Sequence, residues 1–192
     1  MRPSSPRAGS RLLASLACLA LLTACGQAVQ TALPQQQPAA TRTDRPGPDT
    51  PTSTAEVDVQ RDGIEPAVVT GVRFAGHDTY DRLVIDLKGK VPGYSVEWVD
   101  EFVEDGSGKP MDVNGGAYLQ VTLVPANAHD TKGKPTWKGG PVFSTGLLNL
   151  TDVVRTGDFE GHVGIGLVLA RKAAFQVKEQ GAPSRLIIDV AH

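Results

Sequence analysis

This 192-residue chain is poor in the residues that usually fix a protein's chemistry. Cysteine occurs twice, as Cys18 and Cys25, both close to the N-terminus. No disulfide can therefore brace the distal part, and a Cys nucleophile is excluded there. The four histidines are His77, His129, His162 and His192. None lies in a His-x-x-x-His or Cys/His spacing, which argues against a dedicated zinc site. The net charge of −2 offers no basic face for nucleic acid. Long apolar patterns of helical period are missing too, whereas Gly (21) and Pro (14) are plentiful, which favours strands joined by turns.

Catalytic and nucleotide-binding patterns are equally scarce. No Gly-x-Ser-x-Gly elbow exists. Gly106-Ser107-Gly108-Lys109-Pro110 fails as a phosphate loop, because Pro110 replaces the Ser/Thr and Val103 stands where the leading Gly belongs. Gly161 to Gly166 is Gly-rich but sits inside a strand pattern, not between strand and helix, so no dinucleotide site is implied. The reading is that of a non-enzyme without a cofactor or metal.

What is present begins with an address. Arg2, Arg7 and Arg11 precede an apolar run from Leu12 to Leu22, too short to span a bilayer comfortably. The run ends Leu22-Thr23-Ala24-Cys25-Gly26, which resembles the lipobox of bacterial lipoproteins. That resemblance implies a signal peptide over 1–24, a diacylglyceryl group with palmitate-type chains on Cys25, and anchoring in the outer leaflet of the cell membrane. Two acyl chains give stable anchoring where one is marginal. Cys18 follows Ser15-Leu16-Ala17 and fits the box poorly. Residues 25–63 then form the lipidated Cys and a Pro/Thr/Gln-rich tether. Its composition cannot bury enough apolar surface to offset ordering, so a disordered spacer is expected.

Residues 64–192 read as an all-β domain. Two stretches share one design: Asp81-Arg82-Leu83-Val84-Ile85-Asp86-Leu87 and Ser184-Arg185-Leu186-Ile187-Ile188-Asp189-Val190. Strand side chains alternate between faces. Leu83, Ile85 and Leu87 therefore share one face, as do Leu186, Ile188 and Val190, with Arg and Asp opposite. Should the two be antiparallel neighbours with Arg82 opposite Asp189, the same register sets Asp86 opposite Arg185, and two ion pairs pin it. The alternative is equivalent places in two different sheets.

Further strands are predicted over Val68–Phe74, Tyr94–Val103 (Val96, Trp98 and Phe102 on one face), Tyr118–Val124, Leu148–Arg155, Val163–Leu169 and Phe175–Lys178. Residues 157–161 read as a turn. About eight short, mostly antiparallel strands fit a β-sandwich.

The candidate binding residues are the connection His77, Asp78, Tyr80 and Asp81 with Arg82, and Trp137 in the long segment 126–144, expected to be exposed as sugar-stacking aromatics are. His77, Asp78 and Asp81 read equally as a polar turn. Gly164 and Gly166 leave a bare strip that either admits a ligand or marks close packing.

Several pieces resemble the AMIN-like domain of actinobacterial lipoproteins, itself similar to the AMIN domain of cell-wall amidases and secretins. They are Gly71-Val72-Arg73, Gly76-His77-Asp78, Tyr80-Asp81-Arg82-Leu83-Val84, Pro92-Gly93-Tyr94, Phe159-Glu160-Gly161 and Pro183-Ser184-Arg185-Leu186-Ile187-Ile188-Asp189-Val190. The resemblance implies a β-sandwich of two similar halves, an envelope location, and recognition of peptidoglycan or an envelope protein. It transfers no catalytic motif.

Overall fold

The computed structural model describes residues 49–192. The leader, Cys25 and residues 26–48 of the expected tether lie outside the described residues. Among the described residues there are eleven strands. They are β1 (Val57–Val59), β2 (Ala67–Gly76), β3 (Tyr80–Lys88), β4 (Gly93–Val99), β5 (Ala117–Val124), β6 (Ala126–Asn127), β7 (Val142–Ser144), β8 (Leu150–Phe159), β9 (His162–Leu169), β10 (Phe175–Gly181) and β11 (Ser184–Ala191). One sheet runs β1-β4-β5-β9-β8-β7 and the other β10-β11-β3-β2-β6. Neighbours are antiparallel except β2 and β6, which pair in parallel at Ala67–Ala126 and Val68–Asn127. The result is an all-β sandwich.

Every strand expected from alternation is present, and the inner faces of β3, β5, β9 and β11 are the expected ones; in β2 the bulge between Val69 and Gly71 buries Val69 in place of Val68. Leu83, Ile85, Leu186, Ile188 and Val190 of one sheet are buried with Val96, Leu119, Val121, Leu123, Val163, Ile165 and Leu167 of the other. Each such side chain contributes about 1.5–3 kcal/mol when removed from water. The two Arg/Asp strands β3 and β11 are antiparallel neighbours, with Arg82 opposite Asp189 and Asp86 opposite Arg185.

Three sequence expectations need correction. First, the tether does not extend to Gly63. Val57–Val59 pairs with β4, and Arg61 binds Glu179 at 2.8 Å and the carbonyls of Val91 and Pro92. Low hydrophobicity misled here, because backbone pairing and polar contacts hold the segment, with only Val57 and Val59 packed half-buried against the core. Second, strand β4 ends at Val99, and Phe102 does not share the face of Val96. After Asp100 and Glu101 the chain crosses over the sheet, and Phe102 packs with Val154 and Val168 on the outer side. Third, residues 157–159 are strand. A bulge between Arg155 and Gly157 absorbs the irregularity, and the turn is the two-residue Glu160-Gly161. Both turn residues have positive φ, 48° and 79°. That is the twist a two-residue hairpin favours.

The bare strip of β9 is filled. A Cβ at Gly166 would come within 2.6–2.8 Å of the Phe102 ring, and one at Gly164 would collide with Thr156 Oγ1. The small residues serve close packing: Gly166 lets the outer cluster of Phe102, Val154 and Val168 sit down on the sheet, and Gly164 makes room for Thr156 and Gln120.

Both flanks of the sandwich are tied by polar contacts. On the β1/β10 flank Arg61 and the Tyr94 hydroxyl (2.9 Å) both reach Glu179. Burial and the Glu179 carboxylate push the Tyr94 phenol up to about 12. Upstream, the Ser53 carbonyl accepts from Phe175 N–H, and the Thr54 carbonyl accepts from Trp98 Nε1. Trp98 is partly buried, edge-on to Phe175. On the β2/β7 flank residues 136 and 137 make a similar tie, with Thr136 Oγ1 donating to the Val69 carbonyl and Arg155 Nη2 donating to the Trp137 carbonyl.

Candidate functional site

The residues expected to form a site do not converge on one. His77 and Asp78 are exposed at the β2–β3 turn, where the His77 ring stacks on Tyr80 with centroids 4.5 Å apart. Arg82 covers the Tyr80 ring at 5.2 Å and donates to its hydroxyl at 3.2 Å. Asp81 points the other way. It is buried, and its Oδ2 accepts from the backbone N–H groups of Asn149 (2.7 Å) and Leu150 (2.8 Å), tying β3 to the start of β8. Trp137 is buried, not exposed. It stacks on Phe143 at 5.1 Å, with the Arg155 guanidinium over its ring at 4.5 Å. Burial pulls the Arg155 pKa down, and its Nε has no hydrogen-bond partner among the described residues.

The Arg/Asp pattern is a brace. Arg82 grips Asp189 with two bonds, 2.6 and 2.9 Å, and Lys178 adds a third at 3.1 Å. Burial alone would raise the Asp189 carboxyl, but these donors outweigh it and hold it below the usual range. Asp86 is shared between Arg73 (2.6 and 2.8 Å) and Arg185 (3.0 Å). The Arg73 hydrogen bonds hold its carboxyl down as well, with a smaller part from Arg185.

A groove lies elsewhere, on the outer face of the six-stranded sheet. The Glu160-Gly161 turn sets Phe159 directly opposite His162, and side chains directly opposite share a face. Phe159 is 56 % exposed. Beside it, Asp105, Gln120, Thr122, Glu160 and His162 line a hollow of about 210 Å³. A second hollow of about 270 Å³ shares Thr122 and His162 and continues past Ser95 to Arg61 and Asp58. The two together run from β9 across β5 and β4 to β1. Asp105 is fixed by its N–H donating to the Thr156 carbonyl at 3.0 Å, and its carboxyl lies over Gly157. Partial burial there, with the nearby Asp158, raises the Asp105 carboxyl, while His162 pulls against it. Gln120 spends its amide nitrogen on Val121 O and Thr156 Oγ1, which orients the side chain. Sequence reasoning weighed His162 only as a metal ligand and passed over Phe159 as a binding residue. The signal was the turn between them, since a two-residue hairpin forces its flanking residues onto one face. Among the described residues, no three His, Cys, Asp or Glu side chains converge as a metal site requires.

A larger cleft, about 430 Å³, opens between β2 and β7 and is mainly apolar, with Val72, Phe74, Trp137, Phe143 and Val153 in its walls. Fold and surface together define a small β-sandwich whose buried charges brace strands and whose faces carry grooves. The chain belongs to the AMIN-like domain family, whose model matches residues 67–192. AMIN-like domains are cell-envelope binding modules, which implies an extracytoplasmic, envelope-associated location. Searches of curated proteins and of solved structures found no match.

Proposed function

We propose that this chain is a lipid-anchored envelope module whose outer-sheet groove binds a glycan strand of peptidoglycan. The observation that carries this reading is the exposed Phe159 ring beside Asp105, Gln120, Thr122 and His162. A sugar ring presents an apolar C–H face and a polar hydroxyl edge. An aromatic ring next to a carboxylate, an amide and a hydroxyl answers both. The continuation into the second hollow suits linked sugars better than a single one. Cys25 supplies the anchor through its diacylglyceryl group, and the residues after it set the domain off from the membrane.

The test uses the full chain in detergent with purified cell-wall sacculi at low and moderate salt. Retention is expected to survive moderate salt and to fall about tenfold in Phe159→Ala, the equivalent of about 1.4 kcal/mol. Equal retention of the variant rules out the groove. No retention at either salt moves the reading to a module that recognises only a protein, a role that the apolar β2/β7 cleft suits. For the anchor, Cys25→Ser is expected to move the chain from the membrane to the soluble extracytoplasmic fraction, and a chain still on the membrane refutes lipidation there.

A further inference from the structure

Strand β2 is an edge for most of its length. Strand β6 covers only Ala67 and Val68, and Thr136 Oγ1 then donates to the Val69 carbonyl at 2.6 Å. Beyond that point the free edge begins. Its phase follows from the β2–β3 turn, where His77 N–H donates to the Tyr80 carbonyl at 2.9 Å. Hydrogen-bonded pairs alternate in an antiparallel ladder, so Ala75 and Arg73 face β3 with their backbone groups. Val72, Phe74 and Gly76 turn their N–H and C=O groups outward, with no backbone partner among the described residues.

The side chains point to what such an edge takes. Val72 and Phe74 stand opposite Ile85 and Leu83, so they share the inner face, and at this flank that face opens into the cleft over Trp137 and Phe143. Phe74, Val142 and Leu148 are large apolar residues left exposed on β2, on β7 and just after β7. Native sheets usually blunt an edge with Lys, Pro or a covering segment. Here the bulge between Val69 and Gly71 precedes the free run and leaves it clear.

Charge narrows the occupant. Arg73 and Lys138 border the cleft, and the one carboxylate in its lining, Asp86, is already held by Arg73 and Arg185. Arg73, Lys138 and Arg185 thus set three cations against that one carboxylate. A second copy would bring the same cations to the same edge. Residues 26–48 of this chain carry Arg42 and Arg45 against Asp44, a net positive charge that the cations at this edge would repel.

We propose that the β2/β7 flank binds an extended acidic segment of a partner protein, added as a strand on Val72–Gly76. Its aromatic or large aliphatic side chains enter the cleft over Trp137 and Phe143, and the alternate acidic ones meet Arg73 and Lys138. A strand of about five residues, roughly 17 Å, fills the free edge. The site is separate from the glycan groove, which lies on the outer face of the other sheet.

The test uses the full chain and a capped seven-residue peptide in which glutamate alternates with valine and phenylalanine. Its twin has lysine for glutamate. The acidic peptide is expected to bind, and the twin is not. Binding slows hydrogen exchange at the amides of Val72, Phe74 and Gly76. Lys138→Glu, on the exposed rim, is expected to weaken binding about fivefold at low salt while leaving sacculus retention unchanged. Val72→Pro deletes an outward N–H without touching the β3 ladder and is expected to abolish binding. Should that variant fail to fold, Lys138→Glu and the exchange pattern decide. No binding, equal binding of the twin, an unaffected Lys138→Glu, or protection elsewhere overturns the proposal. Protection of the same amides that grows with protein concentration and no peptide also overturns it, in favour of a second copy.

Discussion

Arg82→Met isolates the energetics of the brace between β3 and β11. Asp189 is fully buried, whereas Arg82 and Lys178 are each partly exposed. Removing Arg82 deletes two of the four donors on the carboxylate and leaves Lys178 at 3.1 Å and Gln176 Nε2 at 3.2 Å. Stripping one partner from a buried pair costs about 3–5 kcal/mol, and the remaining Lys178 sets the expectation at the low end, about 3 kcal/mol. For a domain of this size that lowers the melting temperature by roughly 6–12 °C. The penalty belongs to the stranded charge, not to lost packing. The double variant Arg82→Met/Asp189→Leu should therefore recover at least about half of it, since apolar replacement of both partners is often near neutral. Lowering the pH supplies a second arm. In the wild type the Asp189 carboxyl is held below its ordinary 3.8, so its stabilisation is present above that value and is lost as pH falls through the folded value. In Arg82→Met the carboxyl is driven upward instead, and protonation relieves it. The gap between variant and wild type should therefore narrow as pH falls from neutral toward 4. Urea unfolding of the full chain at several pH values measures both. A double variant as unstable as the sum of its singles, or a pH-independent gap, refutes the reasoning.

Two further outcomes are expected. Gly166→Val places methyls where the Phe102 ring sits, so it should cost about 2–3 kcal/mol in urea unfolding, and its effect should be much less than additive with Phe102→Ala because both act on one contact. Asp105→Asn should stabilise the chain at neutral pH and match the wild type in acid. The raised carboxyl of Asp105 favours folding while protonated, and that contribution is lost as pH rises through its folded value, so the amide removes the loss. A variant whose stability tracks the wild type across that range would contradict the assignment.

What was legible in the sequence is what strand alternation controls. Leu83, Ile85, Leu186 and Ile188 declare their faces because period-2 patterning survives wherever one face is buried. Given neighbouring strands, the Arg82–Asp189 register could be written down in advance because opposite charges at fixed spacing admit one antiparallel pairing; that β3 and β11 are neighbours came from the structure. Burial of loop aromatics follows no such rule. Trp137 lies in a stretch of Lys, Gly and Pro that reads as solvent-exposed, yet β7 returns beside it and Phe143 and Arg155 close over the ring. Likewise Val57–Val59 is too short and too polar in its surroundings to show a period, and only the vacant side of β4 makes it a strand.

The same limit explains why neither proposed surface was legible. The groove draws on Ser95, Asp105, Thr122 and His162 from four different stretches, and a site assembled across a sheet has no sequence spacing to find. The free edge of β2 is more hidden still. Gly71-Val72-Arg73-Phe74-Ala75-Gly76 reads as an ordinary strand, and its being unpaired depends on where β6 stops. An edge is a property of strand order, and strand order is set by the long crossovers, not by the strand itself. The positive border has the same origin in part: Asp86 can offset only one of Arg73 and Lys138, and β11 delivers Arg185 to it as a third cation. The pairing that fixes the β3–β11 register therefore also helps set the charge that an incoming strand would meet.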